Sequence, residues 1–482
     1  MRSHALRTFV VTGIALFMVT LDNLIVTNAL PAIRADLGTG LEGLEWTVNA
    51  YTLTFAVLLL PAAAVADRHG RRRLFMIGLA LFTLASAAAA LAPGIGVLIA
   101  ARAVQGVGGA ILAPLTLTLL AHAVPPARRA AALAAWSVMS GLGVALGPVV
   151  GGAVTEYATW EWIFWINVPA GLLVLALAPR FLTESRGPAQ RLDPIGTVLV
   201  TLGLLGVVLG LVRGNEHGWT SAQVLLPAVA GLALLVAFVV HEARTPHPML
   251  PLSLFRSRGF SVLNLISLAM SFGMFGVTFV LIQFLQMIGH MSPLEAGVRT
   301  LPWTAMPLLV APLTAPLASR LGTRTVITLA LLFQAGGLAW LAAYIAPTFD
   351  YADLVPGFVL AGTGMGLFFA PVTRLVLSSA PAAQTGVASG ISNISRQLGT
   401  VLGVAVLGAI FSATGDMTTP HHFATGVTTV LWTAVAILTA AAITALAIPR
   451  NPAPAAQSPS QPAPASTTPS PQLPSPESVT TT

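Results

Sequence analysis

Two charged residues interrupt long apolar stretches of this chain. Asp22 stands in LDNLIVTNALP (Leu21 to Pro31), with no charge from Phe9 to Thr20 before it or from Asn23 to Ile33 after it. Arg102 stands in ARAVQGVGGA, where Gln105, Gly106 and Gly109 share its helix face. A carboxylate in such surroundings can carry a proton, and a buried guanidinium can hold its charged form in place. His4, His69, His122, His217, His241, His247, His290, His421 and His422 all fall at span ends or in loops. The other acids also map there, so Asp22 is expected to be the titrating group inside the membrane. A further polar stripe runs along GVASGISNISRQLGTVLG, where Ser389, Asn393, Arg396, Gln397 and Thr400 recur at helical spacing. Asn264, Gln283, Gln286 and Trp303 are candidate cavity-lining groups alongside Gln105, Asn393, Arg396 and Gln397.

The elements that must position these groups are apolar helices. Of 482 residues, 55% are hydrophobic and 8% charged, against about 25% charged in a soluble domain. The mean hydropathy is +0.84. An all-α polytopic membrane protein is expected. Windows of about 20 apolar residues predict fourteen spans. Their bounds are 8–30, 46–66, 74–92, 96–120, 130–154, 162–180, 194–212, 223–241, 259–284, 297–318, 326–345, 353–377, 386–412 and 425–448. The first apolar run exceeds the h-region of a signal peptide and holds Asp22, so it reads as a span. The Pro/Ser/Thr-rich segment 449–482 is expected to be a disordered tail.

Cysteine is absent, and all 23 basic residues are arginine. With an even number of spans, seventeen arginines fall on the side of the termini and three (Arg34, Arg213, Arg299) on the other. The positive-inside rule then puts both termini in the cytoplasm, and the composition suggests a bacterial cytoplasmic membrane. The formal charge of +7 is too dispersed for nucleic-acid binding. There is no Walker loop, metal-ligand cluster or serine elbow, so no enzyme activity, metal or cofactor is expected.

The second half repeats the first. PAAAVADRHGRRR (Pro61 to Arg73) corresponds to PLTAPLASRLGTR (Pro312 to Arg324), and GVGGAILAP (Gly106 to Pro114) to TGMGLFFAP (Thr363 to Pro371). Offsets of about 250 residues divide the chain into a six-helix bundle over 1–192, an inserted helix pair over 193–258 and a second bundle over 259–448. In ADRHGRRR, Gly70 allows a tight turn, and Asp67, Arg68 and Arg71 are expected to latch helix ends across the two halves. In GLGVALGPVVGG, Gly143, Gly147 and Gly151 form a smooth face, Pro148 directly after Gly147 invites a kink, and Gly152 ends the segment.

These motifs resemble those of the fourteen-helix drug:proton antiporter branch of the major facilitator superfamily, over roughly 8–448. LDNLIVTNALP is similar to the first-helix motif Leu-Asp-x-Thr-Ile-Val-Asn-x-Ala-Leu-Pro, with Leu24 and Thr27 in place of its Thr and Asn. ADRHGRRR resembles the 2–3 loop motif, with Ala63 at its leading glycine. ARAVQGVGG resembles the helix 4 motif, and GLGVALGPVVGG the helix 5 motif of exporters. WEWIFWINVPAG (Trp160 to Gly171) resembles a further segment, with Glu161 where Arg is usual. SPLEAGVRTLP and ASGISNISRQLG also look like the branch. The resemblance implies a proton-coupled exporter of amphipathic drugs or antibiotics, with Asp22 and Arg102 in proton coupling. A transporter of an endogenous metabolite, lipid-like compound or self-made natural product would share the fold. A membrane scaffold or sensor without flux is the remaining alternative. The expected partners are membrane lipid, protons and a small amphipathic substrate. A monomer is expected, and nothing in the sequence indicates a periplasmic adaptor.

Overall fold

The structure is a computed structural model that describes residues 3–449, except 126–127, 188–192, 247, 382–383 and 416–418. The tail expected to be disordered lies outside the described residues, apart from Pro449. Among the described residues, fourteen helices are long and apolar enough to cross a membrane. They are α1 (His4–Leu37), α2 (Leu41–His69), α3 (Arg71–Ala90), α4 (Ile95–Ala123), α5 (Ala135–Tyr157), α6 (Trp162–Phe181), α7 (Pro194–Gly214) and α8 (Ala222–Arg244). The rest are α9 (Arg258–Met287), α10 (Pro293–Leu321), α11 (Thr323–Tyr344), α12 (Tyr351–Ser378), α13 (Thr385–Thr414) and α14 (Pro420–Ala445). Large apolar side chains such as Leu84, Leu172, Leu226 and Leu232 stand exposed on the outside, as a lipid-facing surface requires.

Several helices run further than apolar windows alone suggest. α1 continues through Pro31 to Leu37, because a proline in a membrane helix is tolerated where neighbours re-satisfy the freed backbone. α2 begins at Leu41, which puts Glu45 inside the helix, 2% exposed. Asp22 is therefore not the sole acid buried within a span, as the window bounds implied. α10 breaks at Thr300 and Ala305; Pro302 and Pro307 open the segments that follow and supply no N–H.

The packing repeats. In the first half α1 lies against α5, α2 and α3 against α4, and α6 against α1 and α3. In the second half α9 lies against α13, α10 and α11 against α12, and α14 against α9 and α11. Gly70 between α2 and α3 (φ 108°) and Gly322 between α10 and α11 (φ 84°) make the same left-handed turn, which favours glycine. The halves meet through α5 with α10, α2 with α13, and α1 with α9. The pair α7 and α8 packs on itself, and α7 sits against α2 and α13.

Candidate functional site

Asp22, Arg102 and Gln105 come together in one sealed network inside the first half. Arg102 Nη1 lies 2.5 Å from Asp22 Oδ2 and donates to Gln105 Oε1 at 2.8 Å. Its Nε donates to the Thr47 carbonyl on α2 at 3.1 Å. Gln105 Nε2 donates to Asp22 Oδ1 at 2.8 Å, and Asn167 Nδ2 on α6 reaches the same oxygen at 3.3 Å. Asn167 also donates to Ser86 Oγ on α3 at 3.1 Å, and Ser86 donates to the Phe164 carbonyl at 2.9 Å. Five helices thus close around one carboxylate.

Burial is complete, with Asp22 0% and Arg102 1% exposed. Water cannot reach the carboxylate directly in this conformation. Such a pair persists only when the remaining polar atoms are satisfied, and here amide and hydroxyl partners do that. The glycines after Arg102 explain how the site closes. Gly109 lets α2 approach so near that a Cβ there would lie 2.8 Å from Tyr51 Oη, and at Gly106 it would collide with the Tyr51 carbonyl. Tyr51 consequently lies under the guanidinium, 4.4 Å from ring centroid to Cζ.

The glycine face of α5 packs on α1: Gly143 meets Thr20, Gly147 meets Leu24 and Gly151 meets Ile25. Gly152 turns instead to α10 of the other half, where a Cβ would strike the Pro293 carbonyl. Asn28 joins this contact. Its Nδ2 donates to the carbonyls of Pro148 (2.5 Å) and Pro293 (3.0 Å). Gln286 Nε2 on α9 donates to the carbonyl and Oδ1 of Asn28 at 2.9 and 2.6 Å. Glu156 Oε2 accepts from Ser292 Oγ at 2.5 Å and from the Leu294 N–H at 3.0 Å, beside the start of α10. All these bonds lie on the face opposite the termini. Toward the face of the termini, Val138 of α5 and Leu309 and Leu313 of α10 are exposed.

Among the described residues, the 2–3 loop makes no hydrogen bond or ion pair to the other half. Arg71 Nε pairs with Asp67 Oδ1 at 2.8 Å, within one turn of chain, and the Gly187 N–H donates to the Asp67 carbonyl at 3.1 Å. Glu184 accepts from the N–H groups of Arg72 (2.9 Å) and Arg73 (3.2 Å), capping α3 from the linker after α6. The described polar partners of Asp67 and Arg71 are therefore local, because the linker after α6 fills the space at Gly70. Arg68 is exposed.

Most of the expected cavity groups are packed inside helix contacts. Asn264, 4% exposed, donates to the Phe260 carbonyl and accepts from Ser395 Oγ, joining α9 to α13. Gln283 donates to the Phe279 carbonyl of its own helix, and Trp303 is buried beside Phe358. Gln105 belongs to the Asp22 network and Gln286 to the Asn28 contact. Asn393, Arg396 and Gln397 remain partly exposed. Sequence reasoning missed Asn28, Tyr51, Ser86 and Asn167. The signal for two of them was present, since Asn28 lies in LDNLIVTNALP and Asn167 in WINVPAG.

Two like-packed sets of six helices with an inserted pair, and a charge pair sealed in the first set, define a polytopic membrane transporter. The chain belongs to the major facilitator superfamily, whose description, "Major Facilitator Superfamily", matches residues 12–404 and again 263–478. It is 36% identical over 427 residues to the multidrug resistance protein Stp of Mycobacterium tuberculosis, covering 88% of this chain and 79% of that one. It is 37% identical over 454 residues to the cephamycin export protein CmcT of Amycolatopsis lactamdurans, covering 91% and 92%. A solved POT family transporter, in complex with 5-aminolevulinic acid, superposes with TM-score 0.69 at 15% identity, over 92% of this chain and 96% of that one. That likeness is one of fold. The family and these relatives are transporters rather than enzymes.

Proposed function

We propose that this protein is a proton-coupled exporter of amphipathic drugs or antibiotics that works by alternating access. The observation that carries the proton coupling is the buried Asp22–Arg102 pair. Protonating Asp22 removes the negative charge that holds Arg102, Gln105 and Asn167 in place. The network then has two states, and the proton selects between them. Relatives named for drug resistance and antibiotic export support the direction and the substrate class.

We assign the face of the termini to the cytoplasm on the arginine asymmetry, in a bacterial cytoplasmic membrane. The Asn28, Gly152 and Glu156 contacts then close the outer side, and this conformation is inward-facing. Residues 1–192 and 259–448 act as the two rocking bundles, with α7 and α8 carried beside α2 and α13. The chain acts as a monomer, with protons and a small substrate as its partners. In the outward-facing state Asp22 takes a proton, and it releases it inside. Asp67, Arg68, Gly70 and Arg71 act as a cytoplasmic latch that engages when the inner side closes.

Dye accumulation in inverted vesicles, driven by an imposed proton gradient, tests this reading. Gradient-driven uptake by the wild type and its absence in Asp22→Asn are expected. Undiminished uptake by Asp22→Asn would remove Asp22 from coupling. A second reading, export of a self-made natural product, is favoured by the likeness to the cephamycin exporter. A substrate panel separates the two.

A further inference from the structure

Arg396 is the second arginine at mid-depth, and its surroundings are unlike those of Arg102. It is the twelfth of thirty residues in α13, about 16 Å along the helix from its start. Its Nη2 donates to Asn393 Oδ1, one turn back, and its guanidinium stands 5.6 Å from the centre of the Phe369 ring on α12. None of the ion pairs among the described residues includes it.

Among the described residues of the second half, no carboxylate is placed to neutralise it. Between residues 258 and 448 the acids are Glu295, Asp350, Asp353 and Asp416. The first three stand at or beside the starts of α10 and α12, on the face opposite the termini. Asp416 falls in the connection from α13 to α14, outside the described residues. In the first half Asp22 is taken by Arg102. Glu45 lies against Gly408, twelve residues further along α13, about 18 Å from Arg396 along the axis.

The neighbours of α13 show where Arg396 points, with Gly403, two turns further along, sharing its face against α9. Gly390 meets Leu60 of α2, and Gly399 and Gly403 meet Leu268 and Phe272 of α9. Leu398 and Ala405 pack with Leu204 and Val208 of α7. On a 3.6-residue helix Arg396, Asn393 and Thr400 project roughly opposite Leu398, away from the inserted pair and toward α12. A guanidinium in the membrane is costly unless it is paired or lines a pathway. Its fork of donors fits an oxyanion, and the Phe369 face beside it suits an aromatic or aliphatic body.

We propose that Arg396 is the substrate's charge receptor, and that the exported compound is an amphipathic anion carrying a carboxylate or a similar oxyanion. This rests on the export reading above. It has an electrical consequence. An anion leaving against one entering proton moves two charges in the direction an inside-negative potential favours, whereas a monovalent cation exchanged for one proton moves none.

The test is equilibrium binding to the purified full-length protein in detergent, followed by fluorescence anisotropy. The probes are fluorescein, an amphipathic dianion, and ethidium, an amphipathic cation. Fluorescein is expected to bind about 10-fold more tightly than ethidium, and Arg396→Gln to weaken fluorescein about 10-fold or more while ethidium is unmoved. Stronger binding of ethidium, no binding of fluorescein, or fluorescein binding unchanged in Arg396→Gln overturns the proposal. Should Arg396→Gln fail to fold, Arg396→Lys decides, since it keeps the charge and loses the fork. A loss of about 3-fold or more for fluorescein alone is then expected, and no change overturns it. Gradient-driven dye uptake by the wild type is read separately. Its absence defeats the export reading, whereas uptake with charge-blind binding defeats only the role of Arg396.

Discussion

Asn28 and Gln286 hold each other across the two halves, with the Gln286 amide donating to both oxygens of Asn28. No other pair on that face joins α1 to α9 by two bonds among the described hydrogen bonds. Asn28 in turn grips the carbonyls of Pro148 and Pro293, so one residue touches three helices besides its own. The close approach of α5 to α10 at Gly152 is what brings those carbonyls within reach.

Gln286→Ala should therefore loosen the face opposite the termini. Two bonds at about 0.5–1.5 kcal/mol each shift the balance between conformations by about 1–3 kcal/mol. Because the chain has no cysteine, spin labels at Thr155→Cys and Met291→Cys report on a clean background. Their distance distribution should gain a longer component in Gln286→Ala. An unaltered distribution would mean that the glycine contacts close this face alone.

Gly152→Ala should block the same closure by a different route, since its Cβ would strike the Pro293 carbonyl. Transport is expected to fall about 10-fold or more, because the closed state needs this contact. Thermal unfolding should move less than for Gly151→Leu, whose side chain would enter the α1 contact within the first half. Equal transport by Gly152→Ala and wild type counts against the contact.

Removing either partner of the Asp22–Arg102 pair alone should cost stability as well as coupling. Arg102→Ala leaves a carboxylate buried and unpaired, at about 3–5 kcal/mol. Asp22→Asn keeps an acceptor oxygen and should cost less. Thermal unfolding of the two purified variants in detergent gives the order, and a milder loss for Arg102→Ala would contradict it.

Gly70→Ala tests the turn after α2. Its φ of 108° strains any residue with a Cβ, and that Cβ would lie 2.9 Å from the Glu184 carboxyl carbon. About 1–2 kcal/mol should be lost. Glu184→Ala, which removes the carboxyl group, should recover little in the same background, because the backbone strain would remain. Full recovery would make the contact with Glu184, rather than φ, the cause.

The sequence by itself determined the fourteen spans, because length and apolarity are local and a bilayer admits little else than helices. It also determined the repeat, since Gly70 and Gly322 must make the same left-handed turn. Asp22 and Arg102 stood out because charge is rare in such runs. Only the tertiary structure decided what those groups touch. Asn167 lies 145 residues from Asp22, and Ser86 lies 81 from Asn167, separations that no helical period encodes. Apolar windows fall short of the helix ends at a position that matters: α2 starts at Leu41, ahead of the apolar run, and buries Glu45 within the helix. Polar residues at like depths proved unlike for the same reason. Asn264 and Gln283 bond backbone carbonyls of their own helix, whereas Gln286, three residues beyond Gln283, reaches the other half of the molecule. Hydropathy reads how deep a residue sits; which neighbour its side chain meets is set by the rotation and packing of helices distant in the chain.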